Sequence, residues 1–218
     1  MIPKTEQCLF SIIEIKDAKT ATHCRDVGEI AQAIMKKAGA SKEECDMIYR
    51  AGLLHDIGKI FIDNKLLYKS AKLDKTDMYK LYGHAENGMR VLESFALPDV
   101  IVDAAWHHHE RPDGSGYPDK LKGSDIKLTT KIISVADTID AITSNRSYQE
   151  GRNIDYLLKE LDKVKGIQLD STIVDIALDL YKKTDGEIFP PAYAREHNVG
   201  DNESETDLSL GNKEVINE

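Results

Sequence analysis

The sequence predicts an all-α protein, built as one helical bundle in a single domain. Most of its 218 residues fall in segments whose apolar side chains recur every three or four positions, the spacing of one face of an α-helix. Helix-capping patterns separate several of these segments. No segment alternates apolar and polar residues long enough to predict a sheet, although a short hairpin is left open.

The helices can be placed along the chain from their apolar period and their ends. Residues 26–38 form the first predicted helix, which Gly39 ends. Ser41 and Glu44 form a capping box that begins the next helix, and this helix runs to His55. Further helices are predicted at residues 73–82, 86–95, 98–109, 125–143, 154–164 and 173–181.

Two segments lack the helical period. Residues 111–124 contain two prolines and three glycines, so they predict a loop. Residues 195–218 hold seven acidic and two basic side chains with few large apolar groups, a composition that cannot bury enough surface to offset the cost of ordering. We therefore expect a catalytic domain at residues 1–194 and a disordered acidic tail at residues 195–218.

Composition excludes several classes of function. A net charge of −9 argues against a partner that is a nucleic-acid polymer, because binding a phosphate backbone favours a basic surface. No apolar run approaches the roughly 20 residues of a membrane span, and residues 1–10 lack the layout of a signal peptide. The three cysteines have no metal-type spacing and predict free thiols, which indicates a cytoplasmic protein.

Histidines and carboxylates cluster in short motifs. The sequence His-Asp-Ile-Gly-Lys occupies residues 55–59, and three histidines open a Gly- and Pro-rich run at residues 107–118. Asp137 lies inside an apolar segment, where an unpaired carboxylate is costly, and Asp140 shares its helical face. Core histidines and helix caps could explain one such pair but not the whole set. Imidazole and carboxylate ligands without thiolate favour a hydrolytic metal centre.

These motifs together resemble the HD phosphohydrolase superfamily. The run from His108 to Pro118 resembles its HD-GYP branch, whose members are phosphodiesterases acting on the second messenger cyclic di-GMP. The resemblance covers about residues 10–180, and a lone His-Asp pair would carry far less weight than this ordered set. The matching positions are Asp17, Thr20, His23, residues 55–60, His84, residues 108–118, Leu121, Gly123, Asp137, Asp140, Ala141, Thr143, Arg146 and Tyr148.

The resemblance implies an HD-domain helical bundle and a centre of two divalent metal ions, with iron or manganese expected. One ion would be bound by residues matching His23, His55, Asp56 and Asp137, and the other by those matching Asp56, His84, His108 and His109. A carboxylate has two oxygens, so Asp56 would bridge the two ions. His107 is left out, because three adjacent residues of a helix cannot all face one centre.

The resemblance also implies roles in catalysis and substrate binding. Asp56 and Lys59 are the expected catalytic residues. The expected substrate contacts are Lys59, Asp113, Tyr117 and Arg146. Glu110 is expected to brace the loop that carries Tyr117 rather than to touch substrate.

The chain departs from the family pattern at two positions. Lys19 stands where some members have a glutamate that binds a third metal, and a cationic lysine would repel a metal, so we expect two metals. Gln149 stands where the family often has a basic residue that contacts substrate. Only about fifteen residues precede the match, so regulation is expected from a partner protein, from metal supply, from redox state, or not at all.

The expected function is hydrolysis of cyclic di-GMP to linear pGpG, GMP or both. Three alternatives stay open: a phosphodiesterase for another cyclic dinucleotide such as cyclic GMP-AMP, a receptor that binds without cleaving, and a di-iron oxygenase. The partner expected is the cyclic dinucleotide, with no membrane. A homodimer or a regulatory partner protein is left open.

Overall fold

The computed structural model describes residues 1–144 and 154–183, and structural statements below refer to these residues. Their regular structure is helical, as predicted; the one β feature among them is a single bridge between Lys165 and Leu169. Two 3₁₀ helices lie at Ile57–Phe61 and Gly123–Asp125. The α-helices α1 to α9 span Lys4–Lys16, Ala18–Lys37, Lys42–Leu54, Asn64–Leu67, Lys75–Ser94, Asp99–His107, Leu128–Ser144, Ile154–Val164 and Ser171–Lys183.

Two helix predictions need correction. Helix α2 begins at Ala18 rather than near residue 26, because the Asp17 side chain accepts hydrogen bonds from the first backbone N–H groups and caps the helix there. His23 therefore lies inside α2 and does not open it. The separate helices predicted at 73–82 and 86–95 form the single helix α5, since Gly83 continues the helix. Helix α1 was not predicted.

The centre of the bundle is formed by α2, α3 and α7, with α6 packed against α3 and α5. Isoleucine, leucine and alanine fill this core. Helices α2 and α3 cross very closely at Gly28 and Gly52: a Cβ placed on Gly52 would lie 2.4 Å from the Gly28 Cα. Only glycine permits this contact, which brings the backbones of the two helices together.

Helix α1 is attached to the bundle by a buried ion pair. The Arg50 guanidinium of α3 binds both carboxylate oxygens of Glu6, a bidentate geometry that favours arginine over lysine. None of the helices in the described residues is both long and apolar enough to cross a membrane. The predicted acidic tail and the domain boundary at residue 194 lie outside the described residues.

Candidate metal centre

The seven predicted metal ligands lie together in one cluster. Five segments of the chain supply them: α2, the turn after α3, α5, the turn after α6, and α7. Three overlapping sets have ligand atoms within 4.8 Å of one another, namely His84 with His108 and His109, His23 with His55 and Asp137, and His55 with Asp56 and His108. Residues that are more than a hundred positions apart in the chain are thus in one cluster.

The backbone orients three of the histidine rings. In each, Nδ1 lies within hydrogen-bond distance of a main-chain carbonyl oxygen, which can only accept, so the proton belongs on Nδ1. The pairs are His55 Nδ1 to Gly52 O (2.8 Å), His84 Nδ1 to Leu81 O (2.6 Å) and His108 Nδ1 to Ala105 O (3.0 Å). As a result Nε2, with its free lone pair, faces the cluster in all three rings.

The Nε2 lone pairs of His84 and His108 face each other without a donor between them. His84 Nε2 lies 3.2 Å from the Nε2 atoms of both His108 and His109. His55 Nε2 and Asp56 Oδ1 are buried and have no hydrogen-bond partner. Such groups are costly to bury unless a cation binds them. Two atoms bound to one ion at about 2.1 Å are roughly 3 to 3.4 Å apart, so the observed spacing fits a metal.

The two oxygens of Asp56 face different halves of the cluster. Oδ2 lies 3.5 Å from His23 Nε2 and 3.4 Å from His55 Nε2. Oδ1 lies 3.4 Å from His84 Nε2 and 3.8 Å from His108 Nε2. This arrangement allows one carboxylate to contribute to two neighbouring metal positions.

Charges and burial keep four of the histidine ligands and Asp56 in metal-binding protonation states. Burial lowers the pKa of His55 and His84 and holds that of His108 well below its usual range. For His109, burial and the nearby His84 lower the pKa to about 4. Burial alone would raise the pKa of Asp56, but the Lys59 ammonium and His55 hold it well below its usual range. The rings are therefore neutral and the carboxylate ionised at pH 7.

His23 is held by two carboxylates of α7. Its Nδ1 lies 2.7 Å from Asp140 Oδ2, while its Nε2 lies 3.2 Å from Asp137 Oδ1. Burial opposes protonation of His23, yet the hydrogen bonds to Asp137 and Asp140 raise its pKa well above the usual value. The helical period predicted that Asp140 lies on the same face of α7 as Asp137. It did not predict that Asp140 orients His23, because that contact depends on how α2 packs on α7.

A close backbone contact joins the two halves of the cluster. Gly58, in the 3₁₀ turn just after Asp56, packs against α5, and a Cβ there would lie 1.9 Å from the His84 carbonyl oxygen. Only glycine allows the turn to approach this near, and the approach brings Asp56 to His84. Gly58 is therefore a packing position.

Lys59 lies at the rim of the cluster, with 30% of its side chain exposed. Its ammonium pairs with Asp56 Oδ2. Burial would lower the pKa of Lys59, but the Asp56 charge raises it, so the group stays cationic. A hollow of about 680 Å³ opens here and is lined by Lys19, His23, Lys59 and Asp137, among others.

Glu110 braces the loop that follows the histidines, as expected. Its buried carboxylate accepts hydrogen bonds from the backbone N–H groups of Asp119 (2.6 Å) and Leu121 (3.0 Å). The exposed Asp113 accepts from the Ser115 N–H at 2.8 Å, so its observed contact shapes the loop. Gly114 has a positive φ of +79°, which favours glycine there.

Tyr117 and His107 have different surroundings. The Tyr117 ring stacks on His109, with centroids 4.8 Å apart, and so lies beside the cluster. His107 points away from it: Nδ1 is 3.1 Å from Asp103 Oδ1 and Nε2 is 3.1 Å from Asp119 Oδ2. Arg146 and Gln149 lie outside the described residues.

Comparison with known proteins agrees with this architecture. A family model described as an HD domain matches residues 7–173, more than half of the chain. The chain belongs to the HD domain family. The family membership expected from the motifs is confirmed, and so is the all-α fold of the described residues.

Relatives within the HD family include named cyclic-dinucleotide phosphodiesterases. The response regulator RpfG of Xanthomonas campestris, named a cyclic di-GMP phosphodiesterase, is 37% identical over 172 residues, which are 78% of this chain and 46% of RpfG. The 3'3'-cGAMP-specific phosphodiesterase 2 of Vibrio cholerae is 32% identical over 173 residues, 78% of this chain and 33% of the relative. The chain thus spans a third to about half of the length of the curated relatives it matches.

A solved structure supports the HD fold. The crystal structure of a cyclic GMP-AMP specific phosphodiesterase of Vibrio cholerae aligns with a TM-score of 0.64 over 84% of this chain and 49% of that one. Sequence identity in this alignment is 17%, so the likeness concerns the fold.

Proposed function

We propose that this chain is a metal-dependent phosphodiesterase that hydrolyses cyclic di-GMP to linear pGpG, GMP or both. The observation that carries the proposal is the position of Asp56, whose two oxygens face two separate sets of imidazole nitrogens. Two metal positions about 3.5–4 Å apart are a recurring arrangement in phosphodiester hydrolysis. The name of the relative RpfG supports cyclic di-GMP as the substrate.

Two divalent ions, iron or manganese, would be bound by the clustered side chains. The ligands would be His23, His55, Asp56 and Asp137 for one ion and Asp56, His84, His108 and His109 for the other. Nitrogen and oxygen donors without thiolate suit these metals. When bound, divalent ions supply positive charge to phosphate oxygens and lower the pKa of a water molecule.

The residues around the cluster would position the substrate and balance its charge. The Lys59 ammonium, half-buried at the rim, would offer its positive charge to the scissile phosphate while Asp56 holds it in place. Tyr117 would contact the substrate beside His109. Arg146 would bind a guanine or a phosphate through its planar guanidinium. We assign Asp113 to substrate binding through the loop that it shapes.

A second candidate substrate is 3'3'-cGAMP. Three of the relatives with about a third of residues identical are named for that cyclic dinucleotide. The two substrates differ only in one purine, so the phosphate chemistry at the cluster would be the same for both.

We further propose a cytoplasmic location, supported by the three free cysteines. A homodimer or a regulatory partner protein is also part of the proposal.

The test is hydrolysis of cyclic di-GMP and of 3'3'-cGAMP by protein purified without oxygen, with metal counted on the same sample. Turnover of cyclic di-GMP with about two iron or manganese ions per chain is the expected result. Preference for 3'3'-cGAMP would change the substrate. Two bound metals and nucleotide binding without turnover would favour a receptor, and a requirement for dioxygen would favour an oxygenase.

A further inference from the structure

A cleft of about 990 Å³ lies beside the cluster, and Tyr117 forms part of its lining. One wall contains Phe61, at the end of the 3₁₀ turn, and the helix α4; the other is formed by α5 with Tyr79 and Tyr82. These rings are unusually open for aromatic side chains: Phe61 is 61% exposed, Tyr79 81% and Tyr82 42%. Exposed aromatic rings concentrated in one cleft indicate a binding surface.

Tyr82 connects this cleft to the cluster through stacked rings. Its ring stacks on Tyr117 with centroids 4.1 Å apart and planes inclined by 27°. Tyr117 in turn stacks on His109, at 4.8 Å and 28°. Tyr82 is therefore the outermost of three nearly parallel rings that begin at a proposed metal ligand. Its stacked arrangement leaves Tyr82 partly exposed on the cleft side.

The chemistry of the cleft suits a flat aromatic group with a sugar and phosphate attached. Stacking on tyrosine accepts any purine, because every base has a π-face. Three lysines and three carboxylates balance each other around the cleft, so it does not repel an anion as the chain's net charge of −9 otherwise would. The charged groups are Lys65, Lys69, Lys80, Asp63, Asp77 and Glu86.

We propose that Tyr82 stacks on one purine of the cyclic dinucleotide, inside the cleft whose other wall carries Phe61. A cyclic dinucleotide has a purine on each side of the phosphate being cleaved, so with that phosphate at the cluster one purine reaches past Tyr117. Tyr82 would thereby be a substrate-specificity residue. This inference rests on the proposed function.

The test compares Tyr82→Ala with Tyr82→Phe on two substrates. Removing one base stack should raise the KM for cyclic di-GMP by about tenfold. Tyr82→Phe keeps the ring and should behave like the wild type. Methyl p-nitrophenyl phosphate is a phosphodiester without a purine, so Tyr82→Ala should reduce its hydrolysis far less than it reduces that of cyclic di-GMP. Phe95→Ala, which removes an exposed ring at the far end of α5, is the matched control and should leave both KM values unchanged.

A second variant and a binding measurement separate the outcomes. Phe61→Ala, on the opposite wall, should also raise the KM for cyclic di-GMP. A cyclic dinucleotide that contains 2-aminopurine should lose fluorescence when it stacks on the wild type but not on Tyr82→Ala. If Tyr82→Ala slows both substrates equally, the ring only positions Tyr117 and the inference is wrong.

The proposed function can fail separately. If the wild type binds the fluorescent dinucleotide without cleaving it, the phosphodiesterase proposal is wrong, while the loss of quenching in Tyr82→Ala still supports the stacking role. Cleavage with the same KM in Tyr82→Ala and the wild type would overturn the stacking role alone. No binding of the dinucleotide to the wild type would overturn both.

Discussion

Replacing Gly58 by alanine should move Asp56 away from His84 and so separate the two halves of the proposed metal centre. A Cβ at this position would lie 1.9 Å from the His84 carbonyl oxygen and 2.6 Å from the Gly88 nitrogen. Both are backbone atoms of α5, so no flexible side chain can move aside. The turn and α5 must separate by roughly 1.5 Å, the difference between 1.9 Å and an ordinary contact of 3.4 Å.

This movement is large compared with the tolerance of a metal site. Asp56 Oδ1 and His84 Nε2 are now 3.4 Å apart, a separation that one ion can span. After the shift they could not both bind one ion at about 2.1 Å. We expect Gly58→Ala to lose the metal held by His84, to lower kcat/KM by about 100-fold, and to lose about 1–3 kcal/mol of unfolding free energy.

Metal content per chain, measured by mass spectrometry, and the melting temperature test this reasoning. Gly83→Ala is the control for both readouts, because it lies on the same helix and a Cβ there would meet nothing within 4 Å. It should keep its metals and melt at the same or a slightly higher temperature, as alanine favours a helix. A folded Gly58→Ala protein with wild-type metal content and turnover would refute the role of this contact.

Three further predictions follow from the site and its supports. Asp56→Ala should remove metal from both halves of the cluster and lower turnover more than about 100-fold; two retained metals would refute a bridging role. The pKa of Asp103 is lowered to about 2, because hydrogen bonds from His107, Lys127 and Thr130 outweigh the effect of burial. The ionised Asp103 carboxylate therefore stabilises the fold above about pH 4. As the pH falls toward 2 the carboxylate is protonated, and the free energy of unfolding decreases by about 2 kcal/mol. Urea unfolding at pH 7 and pH 2.5 should show a smaller pH dependence in Asp103→Asn; an unchanged pH dependence would contradict this. Glu110→Gln places an amide donor near the two backbone N–H groups that the carboxylate now accepts from. The free energy of unfolding should fall by about 1–3 kcal/mol. The substrate KM should rise, while the metal content should stay the same. Thermal melts and steady-state kinetics measure this, and a wild-type KM would count against bracing by the carboxylate.

Local patterns predicted the helices that have strong ends of their own. The capping box of Ser41 and Glu44 begins α3, and the apolar period of α7 was readable directly. The predicted break inside α5 was wrong because packing against α6 and the 3₁₀ turn favours a continuous helix over the weak preference of Gly83. Local propensity alone could not weigh that packing.

The composition of the cluster was predictable, but its orientation was not. Histidines and aspartates at these positions suggested ligands from the motif alone. In His55, His84 and His108 it is Nε2 that faces the cluster, because Nδ1 is bound to the carbonyl oxygen three residues earlier in the chain. The orientation of His23 depends on Asp140 of another helix. The contact between His23 and Asp140 depends on how α2 packs on α7, so the sequence alone does not reveal it. The substrate roles given to Lys59, Tyr117 and Arg146 stay predictions.

The crossing of α2 and α3 at Gly28 and Gly52 has a consequence for how this protein tolerates sequence drift. Because backbone meets backbone there, the separation of the two helices does not depend on the size of core side chains. His23 lies in α2 and His55 comes directly after α3, and each is within five residues of the crossing. Core substitutions accumulated over evolution can therefore change the volume of the bundle elsewhere while these two ligands keep their spacing.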